Sequence, residues 1–245
     1  MNYTKSTWRL IVHPPARGPW NMAVDEAILE AVYNGKSIPT LRLYAWQPAC
    51  LSLGHAQPFS EVNTEQTEEN GWDIVRRPTG GRAILHVDEL TYSVITPQNE
   101  PRVKGGVLES YLRLSEALLQ ALRLLGLNPR ANELPATQNS KSPNPVCFEV
   151  PSNYEITVNG RKLIGSAQAR RKEGLLQHGA LPLYGDLTRI ITALNFPDKA
   201  AKDKAKDRLL AHATTVEREI GSMLSWEQAS QAFQEAFKQV LNLHL

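Results

Sequence analysis

The chain has 245 residues, 42% of them hydrophobic and 21% charged, which is ordinary globular composition with length for one large core or two small ones. Its 27 basic residues against 25 acidic ones leave a formal net charge of +2, and without a long basic block this balance argues against a nucleic-acid-binding protein. The first five residues lack the apolar stretch of a signal peptide and no apolar run approaches the ~20 residues of a membrane span, so a cytoplasmic protein is predicted.

In chain order, residues 8–12 read as the first strand. Asn21 is the expected cap of a helix running to about Tyr33, with Gly35 just past its end. Residues 41–46 alternate, with Leu41, Leu43 and Ala45 on one face and Arg42, Tyr44 and Trp46 on the other, which predicts a half-buried strand. Residues 50–53 form a second short apolar strand, and Cys50 within it reads as core. A polar helix is expected over 60–70, stopped by Gly71. Residues 73–77 and 83–96 read as strands flanking the turn Pro78-Thr79-Gly80-Gly81. Residues 107–125 give the clearest helix, with Leu108, Tyr111, Leu112, Leu118, Leu119, Leu122 and Leu125 in one stripe. Residues 131–145 are polar and proline-containing, and are read as a loop.

Tyr154, Ile156 and Val158 alternate up to Asn159-Gly160, the strongest short hairpin signal, because both residues tolerate the positive φ of a type I′ turn. That turn pairs Val158 with Arg161 and Thr157 with Lys162. The C-terminal part is read as helical, with capping-box patterns at Thr214/Glu217 and Ser225/Gln228, and the sign-alternating run 198–208 as a solvated helix face. Strands at the centre with helices around them predict an α+β (or α/β) fold with a mixed sheet. One catalytic domain over 1–245 is expected, with a helical extension from about 196 to 245 packed on it.

Three clusters can carry chemistry. Around the diglycine of Arg76-Arg77-Pro78-Thr79-Gly80-Gly81-Arg82, backbone amides can approach a ligand closely; a tight hairpin turn with solvated arginines fits the same residues. His86 follows on the strand, as a structural or a functional histidine. Cys147 sits among Pro143, Pro145 and Pro151 beside Phe148, in a loop where a thiol is more exposed than in a core. A thiolate attacks acyl carbonyls well, and a cation such as Lys162 would lower the thiol pKa; Lys162 reads equally as a solvated lysine beside a turn. Gly165-Ser166-Ala167-Gln168 places small residues inside a strand, where glycine marks either a bulge or close approach of a ligand. His178-Gly179 closes this third cluster. No spacing suggests a metal site, and no Gly-x-Ser-x-Gly nucleophile elbow is present.

Taken together, these pieces resemble the biotin/lipoate protein ligase family over roughly residues 8–190. The resemblance is carried by Asn21-Met22-Ala23 with Asp25-Glu26-Ala27, by Leu41-Arg42 with Tyr44 and Trp46, and by Leu51-Ser52-Leu53-Gly54 with Gln57. Residues 76–83, 160–168 and 177–179 complete it. Cys147-Phe148 followed by Pro151-Ser152 and Tyr154-Glu155 is similar to the nucleophile segment of the family's octanoyltransferases. That resemblance implies the family's catalytic-domain fold and octanoyl transfer from acyl carrier protein to a lysine of a lipoyl domain or glycine-cleavage H protein. It implies a thioester on Cys147, Lys162 as the group that lowers its pKa, and no nucleotide or other cofactor. Lys162 in its neutral form would take the acceptor amine's proton.

The resemblance also implies that Arg76, Thr79, Gly80, Gly81, Arg82, Ala83 and His86 wall an acyl pocket together with Gly165, Ser166, Ala167, Gln168, His178 and Gly179. Arg76, Arg77 and Arg82 are expected to steer acidic carrier domains. An ATP-dependent lipoate–protein ligase, an octanoyl amidotransferase and a catalytically dead carrier-binding relative are the alternatives. For the nucleophile to reach Lys162, residues 143–152 are expected to fold back over the hairpin and bring Cys147 within about 4–6 Å, the range in which a charge shifts a pKa strongly.

Overall fold

The computed structural model describes residues 3–133, 154–172 and 174–245. Ser6–Thr7 (β1) precedes Arg9–Val12 (β2), and helix α1 (Gly18–Tyr33) leads to Thr40–Tyr44 (β3), which lies parallel to β2. The helix begins at Gly18, with Pro19 in its first turn, where a missing N–H leaves no bond unmade. Asn21 is therefore not the cap. It is buried inside the helix, and its Nδ2 donates to the Ala16 and Ala45 carbonyls at 3.2 and 3.0 Å, tying α1 to the chain beyond β3. Gly35 takes a φ of +66° just past the helix end, as predicted.

Cys50–Leu53 forms β4. The polar helix is shorter than expected: a 3-10 turn at Phe59–Glu61 precedes α2 (Thr64–Glu69), which Asn63 caps. Asp73–Arg76 (β5) and Ile84–His86 (β6) flank the diglycine turn but do not pair with each other. Both pair with β4 instead, β5 in parallel and β6 antiparallel, so the turn is a crossover and not a hairpin. The strand predicted over 83–96 is broken after β6. Asp88 turns at a φ of +52°, and Glu89–Pro97 (β7) continues in another sheet.

After α3 (Val107–Leu124), Pro129–Glu133 forms β8, so residues 131–133 are strand where a loop was expected. Tyr154–Val158 (β9) and Arg161–Arg171 (β10) form the predicted hairpin, with Asn159 and Gly160 at φ +49° and +79° and with Val158 opposite Arg161 and Thr157 opposite Lys162. The register then shifts between Lys162 and Ile164, and Gly165–Arg171 moves on to pair with Gly174–Pro182 (β11). The C-terminal part is helical: α4 (Lys199–His212), α5 (Val216–Ile220) and α6 (Trp226–Leu241), then β12 (Leu243–His244) beside β1. The Ser225/Gln228 capping box is present. At α5 the cap is Thr215, accepting from Arg218 N, while the neighbouring Thr214 hydroxyl bonds Glu219.

The strands build a seven-stranded mixed sheet, β2-β3-β7-β11-β10-β9-β8, and a three-stranded sheet, β5-β4-β6. Period-two alternation sends Leu90, Tyr92 and Val94 of β7 into the main core with α3 and α6, and Ile95 into a smaller core with Ile28, Leu29 and Val32 of α1. Both faces are thus covered, which is why β3 is buried throughout and not on one side only. The small sheet packs on residues 187–213 through Leu51, Leu53, Ala83, Ile190 and Leu209. No helix among the described residues is long and apolar enough to cross a membrane.

Candidate active site

Burying Arg42 on the α1 side of β3 demands partners, because an unpaired charge in a core is costly. Its guanidinium reaches Asp25 Oδ1 at 2.7 Å and Asn21 Oδ1 at 2.6 Å, both on α1, and lies over the Tyr44 ring. Asp25 also accepts from Tyr44 OH and Ser93 Oγ, both at 3.0 Å. His178 on β11 approaches it at 3.8 Å through Nδ1, and His178 Nε2 contacts Thr79 Oγ1 at 2.6 Å. Burial alone would raise the Asp25 carboxyl, but His178 and Arg42 outweigh it and hold it below the usual range. Burial pushes His178 the other way, below the usual imidazole value, although Asp25 favours its charged form. This network fixes α1, β3, β7, β11 and the diglycine turn relative to one another.

A cavity of about 330 Å³ opens beside it, lined by residues of both sheets and α1. That volume sits at the small end of the range for ligand pockets. Its floor is buried: Met22, Tyr44, Ser52, Thr91 and Ala180. Gly80 and Gly81 are exposed at its mouth, with Arg82, Ser166, Ala167 and Gln168 partly so. Lys162 also lines it, nearly buried, with Nζ 2.9 Å from Glu155 Oε1. His86 stands on the wall, its ring stacked on Trp46 at 4.1 Å and its Nδ1 2.8 Å from Glu89 Oε1. Trp46 Nε1 donates to Thr91 Oγ1 at 2.7 Å.

Opposite, Ser166 Oγ and Tyr92 OH lie 2.7 Å apart, and Gln177 Nε2 donates to Tyr92 OH at 3.0 Å. Burial pushes the Tyr92 phenol up to about 12, against these hydrogen bonds. Gly179 is needed where the strands meet the cavity: a Cβ there would lie 2.6 Å from the Gly165 carbonyl oxygen and 2.7 Å from Ser166 Oγ.

Gly80, Gly81, Arg82, His86, Lys162, Gly165, Ser166, Ala167, Gln168, His178 and Gly179 are therefore gathered around one cavity. Three of the site residues named from sequence stand off it. Arg76 is turned outward and donates to the carbonyls of Gly54, His55 and Gln57. Thr79 sits behind the wall on His178, and Ala83 is in the core of the small sheet. Arg77 cannot steer a partner, because it is buried and donates to the carbonyls of Ser52, Gly80 and Arg82, shaping the turn from within. Arg82 is ion-paired with Glu61 at 3.3 Å. Cys147 and the fold-back of residues 143–152 lie outside the described residues. Cys50 is core, and burial raises its thiol pKa far above the usual value.

Met22, Tyr44, Ser52 and Thr91 on the floor, and Glu155 beside Lys162, were not named as site residues. The alternation of β3 had put Tyr44 on the face that carries Arg42, and that shared face was the available signal. Among the described residues no group of three or more His, Cys, Asp or Glu side chains is placed to hold a metal ion.

Residues 18–238 match the model of the lipoyl protein ligase A/B catalytic domain. An octanoyltransferase LipM of Kyrpidia tusciae is 39% identical over 98% of this chain and 89% of its own length. One of Carboxydothermus hydrogenoformans is 40% identical over 95% and 86%, and one of Bacillus subtilis 39% identical over 98% and 88%. Among solved structures, a bipartite lipoate protein ligase of Thermoplasma acidophilum superposes with a TM-score of 0.80 at 24% identity, covering 98% of this chain and 85% of that one. A lipoate-protein ligase A bound with ATP gives 0.78 at 25% identity, with 98% and 87% covered. The mixed sheet flanked by helices is thus the lipoate-ligase fold, and the chain belongs to the lipoyl protein ligase A/B catalytic-domain family.

Proposed function

We propose that this protein is an acyltransferase that moves an octanoyl group onto a lysine in protein lipoylation. The observation that carries the reading is the match, over nearly the whole chain, to octanoyltransferases at 39–40% identity. The cavity supports it. Its floor of Met22, Tyr44 and Ala180 suits an alkyl chain, at roughly 0.8 kcal/mol per buried methylene, and its mouth carries the polar groups an acyl carbonyl needs.

In this reading the donor is octanoyl-acyl carrier protein and the acceptor a lipoyl domain or H protein. Cys147 takes the octanoyl group as a thioester, an exchange close to energy-neutral that needs no ATP. The Lys162 ammonium, held by Glu155 at 2.9 Å, stabilises the thiolate and donates to the oxyanion as charge develops. Residues 1–245 act as one catalytic unit with the C-terminal helices packed on it. In support, α6 shares the main core with α3, and Thr214 N bonds the Lys162 carbonyl at 3.0 Å.

The fold neighbours are ligases, one of them bound with ATP, so the test sets the two chemistries against each other. Octanoyl-acyl carrier protein without nucleotide is expected to octanoylate an H protein, and free octanoate with ATP and magnesium to give little product. Better transfer from the free acid with ATP would make the protein a ligase.

A further inference from the structure

We infer that Met22 sets the length of the acyl chain the cavity accepts, an inference that rests on the octanoyltransferase reading and deepens it. A carrier protein is far too large for a cavity of about 330 Å³, so only the acyl tail enters and the carrier stays at the mouth. Gly80 and Gly81 are exposed at that mouth, whereas Met22, Tyr44, Ser52, Thr91 and Ala180 are buried at the floor. The tail therefore ends against the floor, and the floor decides how many methylenes find room.

Four of the five floor residues cannot give way. Tyr44 OH donates to Asp25 at 3.0 Å, and its ring lies 3.8 Å from the Arg42 guanidinium. Ser52 Oγ accepts from Arg77 at 3.0 Å. Thr91 Oγ1 accepts from Trp46 Nε1 and donates to Glu89 Oε1. Ala180 is held in the sheet between Gly165 and Thr91 and has no atom beyond Cβ to remove. Met22 differs. It is an unbranched thioether with three rotatable bonds, packed in an apolar cluster with Tyr44, Trp46, Cys50 and Val75.

The backbone under Met22 is fixed on both sides. Asn21 and Asp25 are bound to the Arg42 guanidinium. One turn earlier, Gly18 lies so close to the small sheet that a Cβ there would stand 2.4 Å from Cys50 Sγ and 3.0 Å from Val75 Cγ1. Helix α1 thus cannot move in to refill space lost from residue 22, and the length of that side chain translates into cavity depth. Its other neighbours in the cluster, Cys50 and Val75, are apolar, so space vacated there suits hydrocarbon and not water. Met22→Ala removes Cγ, Sδ and Cε, which is room for about two further chain carbons, each worth roughly fourfold when moved from water into apolar surroundings.

The experiment is a competition. Hexanoyl-, octanoyl-, decanoyl- and dodecanoyl-acyl carrier protein are supplied together in equal amounts with H protein as acceptor, and the chains attached to H protein are read by intact mass at low conversion. Each variant is scored by the ratio of products within one reaction, so a general loss of activity or of folded protein drops out. Met22→Ala is expected to raise the decanoyl-to-octanoyl ratio by about 4- to 15-fold. Met22→Phe, which adds bulk at the same place, is expected to move the distribution toward hexanoyl and carries the test if the alanine variant fails to fold. A purely structural methionine would lower all products together. Ratios unchanged from wild type in folded Met22→Ala, or, if it does not fold, in Met22→Phe, would overturn the assignment while transfer by the wild type stands. Wild-type enzyme that transfers none of the four chains would overturn the functional reading beneath it.

Discussion

Removing the Asp25 carboxylate tests whether the buried network holds the site together. Asp25 and Arg42 both have fully buried side chains. In Asp25→Ala the guanidinium would keep Asn21, His13 and the Tyr44 ring as neighbours, but no opposite charge. Tyr44 OH and Ser93 Oγ would lose their acceptor as well. Breaking a buried ion pair from one side costs about 3–5 kcal/mol, and the lost hydroxyl bonds belong to the same loss and are not added to it. For a protein of this size that corresponds to a fall in Tm of roughly 6–20 °C, at about 2–4 °C per kcal/mol. Urea unfolding followed by tryptophan fluorescence reads the change directly, and the m-value reports whether the unfolding reaction itself has changed. A loss below about 1 kcal/mol would refute the reasoning, because it would mean that Arg42 is satisfied without its carboxylate.

The cavity walls make a paired prediction. Gly179→Ala should cost about 1–3 kcal/mol by overpacking against the Gly165 carbonyl, Ser166 and Tyr92, whereas Gly80→Ala, whose Cβ would meet nothing within 4 Å, should change the urea midpoint little. His178 gives a pH signature. Its folded pKa is depressed, so below the unfolded value of about 6.5 the unfolded chain binds a proton that the folded chain does not. Stability should therefore fall as pH is lowered from about 6.5 toward the depressed folded value, and His178→Gln should flatten the slope. Asp25 acts lower: its contribution is complete above the unfolded carboxyl value of about 3.9 and is lost as pH falls through the depressed folded value.

What could be read from the sequence was what local chemistry decides. Asn159-Gly160 set the hairpin because a type I′ turn is written in two residues, and the Ser225/Gln228 box set the start of α6 for the same reason. What needed tertiary partners was misread. The run 83–96 looks like one strand, yet Asp88 turns it from one sheet into the other. The diglycine turn looks like a hairpin, but β4 supplies a better partner to each flank, and Arg77 holds the crossover from inside. Period-two alternation in β3 signalled one polar face. It could not show that α1 would bury that face with Asp25 and Asn21. The candidate site was legible as clusters, because glycines and histidines on adjacent strands meet at one cavity. The floor was less so, since Met22 and Tyr44 look like any other core residues.

The central step is an octanoyl thioester formed without nucleotide. The most direct measurement is the intact mass of the protein after incubation with octanoyl-acyl carrier protein and no ATP. One added octanoyl group is expected, removable by hydroxylamine, still formed in Cys50→Ala and absent in Cys147→Ala. An adduct that survives the loss of Cys147, or no adduct while octanoate and ATP together support transfer, would contradict it.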